Sequence, residues 1–404
     1  MQMRVILALV LSTASLVPAQ GLYCPENVTG QASQMLMSNI ARHQGAAASS
    51  SGTGLIELGI FYQALRESIA ATNDTSQKAQ WTAYLHNSTA TAIPLFTNTT
   101  YTAGLPLDRF AIGTEMIRQY HETCDANLLP AISTLQDSLI HQRRNANNGL
   151  WYYANQNNLT AYQNLSYADG MYSYPAFTIL SAANRTQQSD VFGARAVQEQ
   201  LEILYSICND GTGLLLHGYD ALKAHKWANQ ETGASPSVWG RALSWYTLGV
   251  VEVLSVLQSY TPESMDLSFK IAYEGIKTLF NNAIEAQCIA LERGLAIDGR
   301  YGVWQVVDLP GASINGTQNF VETSASLMTA YSLLKSARLN LIQDSRLRSR
   351  ANKAAIGLWE NISEKHLTRN VNGTLSLNGT SSISSLSPQV VNAKVCQCFF
   401  LGLT

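Results

Sequence analysis

Two acidic segments stand out in a chain that uses charge sparingly. GLPLDRFAIG (104–113) carries Asp108, and YADGMYSYPAF (167–177) sets Asp169 among three tyrosines, a phenylalanine, a methionine and a proline. Apolar, aromatic surroundings favour the neutral form of a carboxyl group, and a proton donor must be neutral before it acts. Two carboxylates on separate segments suit general acid/base work on a glycoside. Each also has a structural reading. Asp108 follows Pro106 and precedes an apolar-periodic run, as an N-cap does, and Asp169 precedes a helix beside Gly170.

Four more polar positions fall between periodic segments: His217 and Asp220 in GLLLHGYDALKAHKWA, Arg241 in SVWGRALSWY, and Glu322 in NFVETSASLM. Tyr172, Tyr219, Trp227, Trp239 and Trp245 lie close to them in sequence. Tyrosine and tryptophan offer apolar faces to sugar rings with polar edges nearby, although helix-spaced tryptophans are equally read as core. His217 reads either as a satisfied loop histidine or as part of such a site. Arg241, between Trp239 and Trp245, is costly to bury without an anion such as a substrate carboxylate. Glu322 falls in the first turn of a helix, where a carboxylate favours the macrodipole, so its expected role is structural. The His, Asp and Glu positions match no metal-ligand spacing, and no GxSxG, P-loop or dinucleotide fingerprint occurs.

The elements that must position these residues are mostly helices. Leu55, Leu58, Phe61, Leu65 and Ile69 recur three or four apart, one face of an amphipathic helix over 52–71. Similar periodicity predicts helices near 32–43, 76–92, 107–123, 126–143, 170–184, 188–207, 238–259, 263–286, 320–340, 344–362 and 388–402. Short strands are predicted near 150–153, 213–217, 302–307 and 375–377. No Gly/Ser-rich linker or charge block divides the chain, which reads as one all-α domain over 20–404. Consecutive helices of this kind pair into hairpins, and a ring of hairpins leaves loops at one end where a ligand cavity forms.

The charge balance, Lys+Arg 26 against Asp+Glu 28, carries no electrostatic footprint for nucleic acid. Residues 1–19 read as a signal peptide, with Arg4, an apolar run to Val17 and small residues ending at Ala19. That run is shorter than a membrane span of about 20 residues, so no membrane role is expected. A secreted glycoprotein is expected, with Asn-X-Ser/Thr at Asn27, Asn73, Asn87, Asn98, Asn158, Asn164, Asn184, Asn315, Asn361, Asn372 and Asn378. In that setting disulfides are the default for Cys24, Cys124, Cys208, Cys288, Cys396 and Cys398, with Cys24 tied to one of the last two. A monomer is the working expectation.

Taken in order, LDRFAIG, NGLWYY, YADGMYSYPAF, GLLLHGYD, the run from Lys226 to Leu254, and GVWQVVD with NFVETSASLM resemble the unsaturated rhamnogalacturonyl hydrolases of glycoside hydrolase family 105. These are relatives of the unsaturated glucuronyl hydrolases. The resemblance implies a six-hairpin (α/α)6 barrel with a cleft at one end and an oligosaccharide substrate ending in an unsaturated uronic acid. It implies no cofactor and no metal. Asp169 matches the family's general acid/base and Asp108 its second carboxylate, while His217, Arg241 and Trp245 match cleft positions. Trp239, Tyr172 and Tyr219 are carried with them as substrate-binding positions. The implied reaction hydrates the bond between carbons 4 and 5 of the uronic acid, after which a hemiketal opens and expels the neighbouring sugar. Tyr219, Tyr167 and LWYY depart from the family pattern at positions that would set substrate length. A conventional (α/α)6-barrel glycosidase, such as an α-mannosidase, and a non-catalytic glycan-binding protein are the alternatives.

Overall fold

Short polar residues decide where several helices begin. The Asp74 carboxylate accepts from the backbone N–H groups of Ser76 and Gln77, Asn98 from Tyr101, Asp266 from Phe269 and Asp344 from Leu347. Each cap satisfies donors that an α-helix leaves unpaired in its first turn. The computed structural model describes residues 28–47, 54–153, 162–184, 192–260, 266–381, 386 and 393–396. Its helices are α1 Val28–Ala41, α2 Gly54–Ala71, α3 Thr75–Ala92, α4 Thr99–Gly104, α5 Arg109–Thr123, α6 Leu129–Ile140, α7 Gly170–Asn184, α8 Ala194–Cys208, α9 Gly240–Gln258, α10 Leu267–Asp298, α11 Thr323–Arg338 and α12 Ser345–Lys365.

Burial separates two layers. Helix α9 is buried on nearly every side. Helix α12 buries the stripe Leu347, Ala351, Ala354, Leu358 and Ile362, the spacing of a helix with one face on a core. Helices α2, α5, α7, α9 and α11 pack neighbour to neighbour as the inner layer, with α3, α6, α8, α10 and α12 outside them. The circuit closes between α11 and α2 through polar contacts. Lys335 Nζ donates to Glu67 (2.8 Å) and to Glu252 (2.6 Å), and the Tyr331 hydroxyl lies within hydrogen-bond distance of the same two carboxylates (2.7 and 2.9 Å). Helix α1 adds Val28, Ala32 and Met35 to a smaller apolar cluster with Trp359, Ile362, Leu375 and Leu377. Five inner helices are therefore present among the described residues, where the expected hairpin ring has six.

A proline explains how α7 and α9 come so close. Pro175 lies inside α7 and has no N–H for the carbonyl of Met171 four residues back. That carbonyl faces Gly249 of α9, where any Cβ would overlap it.

Three small antiparallel sheets complete the described chain. Strand β1 (Leu165–Tyr167) pairs with β2 (Gly218–Asp220), and β3 (Ser313–Ile314) with β4 (Thr317–Gln318). In the third sheet β6 (Leu375–Ser381) lies between β5 (Leu367–Arg369) and β7 (Ala393–Cys396). The helix expected over 388–402 is thus corrected: its described part is a strand, paired to β6 with Leu377 opposite Cys396. The short helix α4 was not expected, and α10 runs on to Asp298 because Gly299, at φ 75°, ends it in the left-handed conformation.

The disulfide expectation fails for three of the cysteines. Cys124, Cys208 and Cys288 are free thiols. Burial pushes the thiol of Cys208 well up and that of Cys288 up to about 12. Cys24, Cys398, residues 1–19 and the sequons at Asn27 and Asn158 lie outside the described residues. Asn361 is buried and donates to the carbonyl of Tyr301 (2.8 Å), so its sequon is closed in the folded chain. No described helix is long and apolar enough to cross a membrane.

Candidate active site

The inner helices α5, α7, α9 and α11 start beside the candidate residues: Asp108 precedes α5, Asp169 precedes α7, Trp239 and Arg241 flank the start of α9, and Glu322 precedes α11. The remaining piece, His217, comes from the β1–β2 ribbon. Gly218 pairs with Tyr167, and the Ala168 N–H donates to the His217 carbonyl (3.0 Å), which lays the histidine alongside Asp169. His217 Nε2 lies 3.2 Å from Asp169 Oδ2. The approach lacks the alignment of a hydrogen bond, and Oδ2 is buried with no hydrogen-bond donor among the described residues.

Asp108 is held differently. It stands at the start of α5, but its side chain does not cap the helix, which corrects the N-cap reading. The Tyr152 hydroxyl instead lies 2.8 Å from both carboxylate oxygens. Burial pushes the Asp108 carboxyl up to about 8; the Tyr152 hydrogen bond opposes this, and the charge of Asp169 adds to it. The neighbouring Arg109 offers only weak relief. Its guanidinium donates to the Leu105 carbonyl (2.8 Å), to Ser138 Oγ (3.1 Å) and to Gln142 Oε1 (2.7 Å).

The aromatic candidates fall into two groups. The Trp239 ring is fully buried and stacked on the His217 ring (5.9 Å between centroids, 17° between planes), so it backs the histidine. Tyr219 is also fully buried, and Asn145 Nδ2 donates to its hydroxyl (3.1 Å). Both back other residues of the site in this structure. Tyr172 and Trp245 pack against each other at 4.7 Å, and the Tyr172 hydroxyl donates to Gln63 Oε1 (2.9 Å). Tyr167 meets His217 edge-on at 5.4 Å and Tyr152 at 5.0 Å, and Tyr153 continues this wall to the half-exposed Tyr162.

Arg241 has an anionic neighbour within the protein. Its Nη1 donates to the Ser381 carbonyl (2.7 Å) and lies 3.7 Å from Glu322 Oε1. Glu322 caps α11 through the Ala325 N–H, as its position in sequence led us to expect, and also accepts from Ser324 and from the Ser381 N–H. Asp220 lies apart from this group: it accepts from the N–H groups of Leu222, Ala224 and His225 and orders the loop that follows β2. Trp227 stacks on His225 in that loop. Sequence reasoning missed Tyr152, Gln63 and Ser381; Tyr152, inside the quoted NGLWYY segment, was the one with a visible signal. No group of three His, Cys, Asp or Glu among the described residues is placed to hold a metal ion.

A mostly helical scaffold with two buried carboxylates and an aromatic wall has the parts of a glycoside hydrolase. The family model for Glycosyl Hydrolase Family 88 matches residues 56–382, and the chain belongs to that family. A solved family 105 glycoside hydrolase from C. acetobutylicum is 21% identical, with a TM-score of 0.65 and 88% of each chain covered. An unsaturated glucuronyl hydrolase from Bacillus sp. GL1, described as responsible for glycosaminoglycan degradation, is 14% identical at a TM-score of 0.58, covering 88% of this chain and 89% of that one. Among curated relatives, a protein of Agrobacterium fabrum is 32% identical over 151 residues, 37% of this chain and 56% of the relative. The chain thus spans little more than half the length of that relative.

Proposed function

We propose that this chain is a secreted, N-glycosylated hydrolase of unsaturated uronides on a six-hairpin (α/α)6 plan. Its substrate would be an oligosaccharide from pectin with an unsaturated galacturonyl residue joined to rhamnose. The observation that carries the reading is the meeting of Asp108, Asp169 and His217 at the starts of α5 and α7. Burial pushes the Asp108 carboxyl up to about 8, and the charge of Asp169 adds to that, so Asp108 brings a proton to the site at neutral pH. The reactive role goes to Asp169. Both oxygens of Asp108 are engaged by Tyr152, whereas Oδ2 of Asp169 has no hydrogen-bond donor among the described residues.

In this mechanism Asp169 gives the proton to carbon 4, leaving an oxocarbenium-like centre at carbon 5. Water attacks that centre while the Asp169 carboxylate takes a proton from it, the first proton staying on carbon 4, and the resulting hemiketal opens to release the neighbouring sugar. Because the bond attacked is an enol ether, no carboxylate need act as nucleophile. Arg241 would face the uronate carboxylate and His217 would orient Asp169 or the water.

Incubation with lyase-digested rhamnogalacturonan tests the reading. Loss of the near-ultraviolet absorbance of the conjugated double bond supports it. Cleavage of saturated glycosides with that absorbance unchanged would point to a conventional glycosidase, and binding without turnover to a glycan-binding protein.

A further inference from the structure

We infer that Glu322 is the resident counter-ion of Arg241 and sets how tightly the site holds an anionic sugar; the inference rests on the proposed role of Arg241 toward a uronate carboxylate. The Glu322 carboxylate is fully buried and held from several sides. Oε2 accepts from the Ala325 N–H (2.5 Å), Oε1 from the Ser381 N–H (2.9 Å), and Ser324 Oγ reaches both oxygens at 2.8 Å. A helix cap needs one such bond. The rest fix the carboxylate where Oε1 is 3.7 Å from Arg241 Nη1.

Ser381 ties the two charges together through one residue, its N–H on Glu322 and its carbonyl on Arg241 Nη1 (2.7 Å). Gln305 Nε2 donates to the Ser381 hydroxyl and holds this strand end in place. Among the described residues no acceptor engages Nε or Nη2 of Arg241, so part of the fork is left for a ligand. The arrangement resolves a conflict in the site's chemistry. An unpaired guanidinium in a largely buried position is costly, and it would bind the carboxylates of substrate and product tightly. A carboxylate behind it stabilises the empty site and repels an incoming anion, which lowers affinity for both.

The sign of the test separates this role from capping. Binding of galacturonate and of its methyl ester is titrated by calorimetry on wild type, Glu322→Gln, Glu322→Asp and Arg241→Gln. We expect Glu322→Gln to bind galacturonate roughly tenfold more tightly, because the resident anion is gone, and to bind the neutral ester as wild type does. Glu322→Asp, with its carboxylate drawn back, should fall between the two and serves if the Gln variant does not fold. Arg241→Gln should lose the preference for galacturonate over its ester. Equal or weaker galacturonate binding by both Glu322 variants, with a lower melting temperature, makes the residue a cap only and overturns the inference. If wild type consumes no unsaturated uronide but the affinity pattern holds, the proposed reaction fails and the counter-ion stands. If no variant prefers the anion to its ester, both fail.

Discussion

Asp108 and Asp169 differ in what surrounds each oxygen, and that difference predicts distinct phenotypes. Asp169→Asn should lower turnover by about 10²–10⁴-fold, the usual contribution of a general acid/base, while far-ultraviolet circular dichroism stays helical; an active Asn variant would falsify the assignment. Burial pushes the Asp108 carboxyl up to about 8, so the proton it holds in the site should be lost, and activity fall, as pH rises through that value. Tyr152 stabilises the charged form of Asp108 through its hydroxyl, so Tyr152→Phe raises the Asp108 pKa further and moves the alkaline limb to higher pH. A pH–rate profile in which the limb moves down contradicts this. The same group affects stability with a definite sign. Its folded pKa lies above the ordinary carboxylate value, so the stability present at low pH is lost as pH rises from about 4 toward 8. Asp108→Asn removes that loss, and its melting temperature should gain on wild type across this window; a constant difference counts against it. At this scale the residue types were legible in the sequence and their orientation was not. That Trp239 stacks on His217 and Tyr219 meets Asn145 could not be read from composition, which does not say what a ring faces. The Ser381 link to Arg241 bridges 140 positions and follows no local periodicity.

The seam between α2 and α11 is the element whose integrity depends on charge more than on apolar packing. Burial opposes ionisation of Glu67, but the ammonium of Lys335 and its hydrogen bond hold that carboxyl down to about 2. A depressed carboxyl contributes stability above its unfolded pKa and loses it as pH falls, here between about 4.5 and 2. Lys335→Met leaves Glu67 and Glu252 facing each other without their shared cation. Removing one partner of a buried ion pair costs about 3–5 kcal/mol, and urea unfolding at pH 7 should show a loss of that order. The deficit should shrink toward pH 3 as the carboxyls of both variant states take up protons; a loss independent of pH would assign the effect to packing instead. Helix periodicity made most of the inner and outer helices legible. It misread 388–402 because apolar residues there suit either period, and what decides the strand is the edge of β6, a partner no local window contains. The Pro175–Gly249 approach was hidden for the same reason: each residue reads as a helix breaker until the other helix is placed against it.

The whole chain has only 13% charged residues for 404 positions, a poor surface for solubility unless something else hydrates it. The proposed glycosylation would supply that, and the fold ranks the sequons by access. Asn73, Asn87, Asn98, Asn315 and Asn372 are exposed, the last beside a β5–β6 turn whose Val371 projects fully into solvent. Asn361 is buried in α12, with its amide nitrogen on the Tyr301 carbonyl. Sequence pattern alone treated these asparagines alike, because the Asn-X-Ser/Thr motif says nothing about which helix face carries it. Expressed through a secretory route and analysed by peptide mass mapping after enzymatic deglycosylation in heavy-oxygen water, the protein should show the mass tag at the exposed sites and none at Asn361. A tag at Asn361 would mean that α12 is modified before it packs, and a protein secreted without any tag would remove glycosylation from the reading. Changing Asn73 and Asn87, exposed sites at which no cap or left-handed backbone is involved, to Gln should leave stability within about 0.5 kcal/mol per site, as surface substitutions do, while lowering the concentration at which the protein aggregates. The two effects would separate because glycans would act on the surface between molecules, whereas the fold is held by the core beneath it.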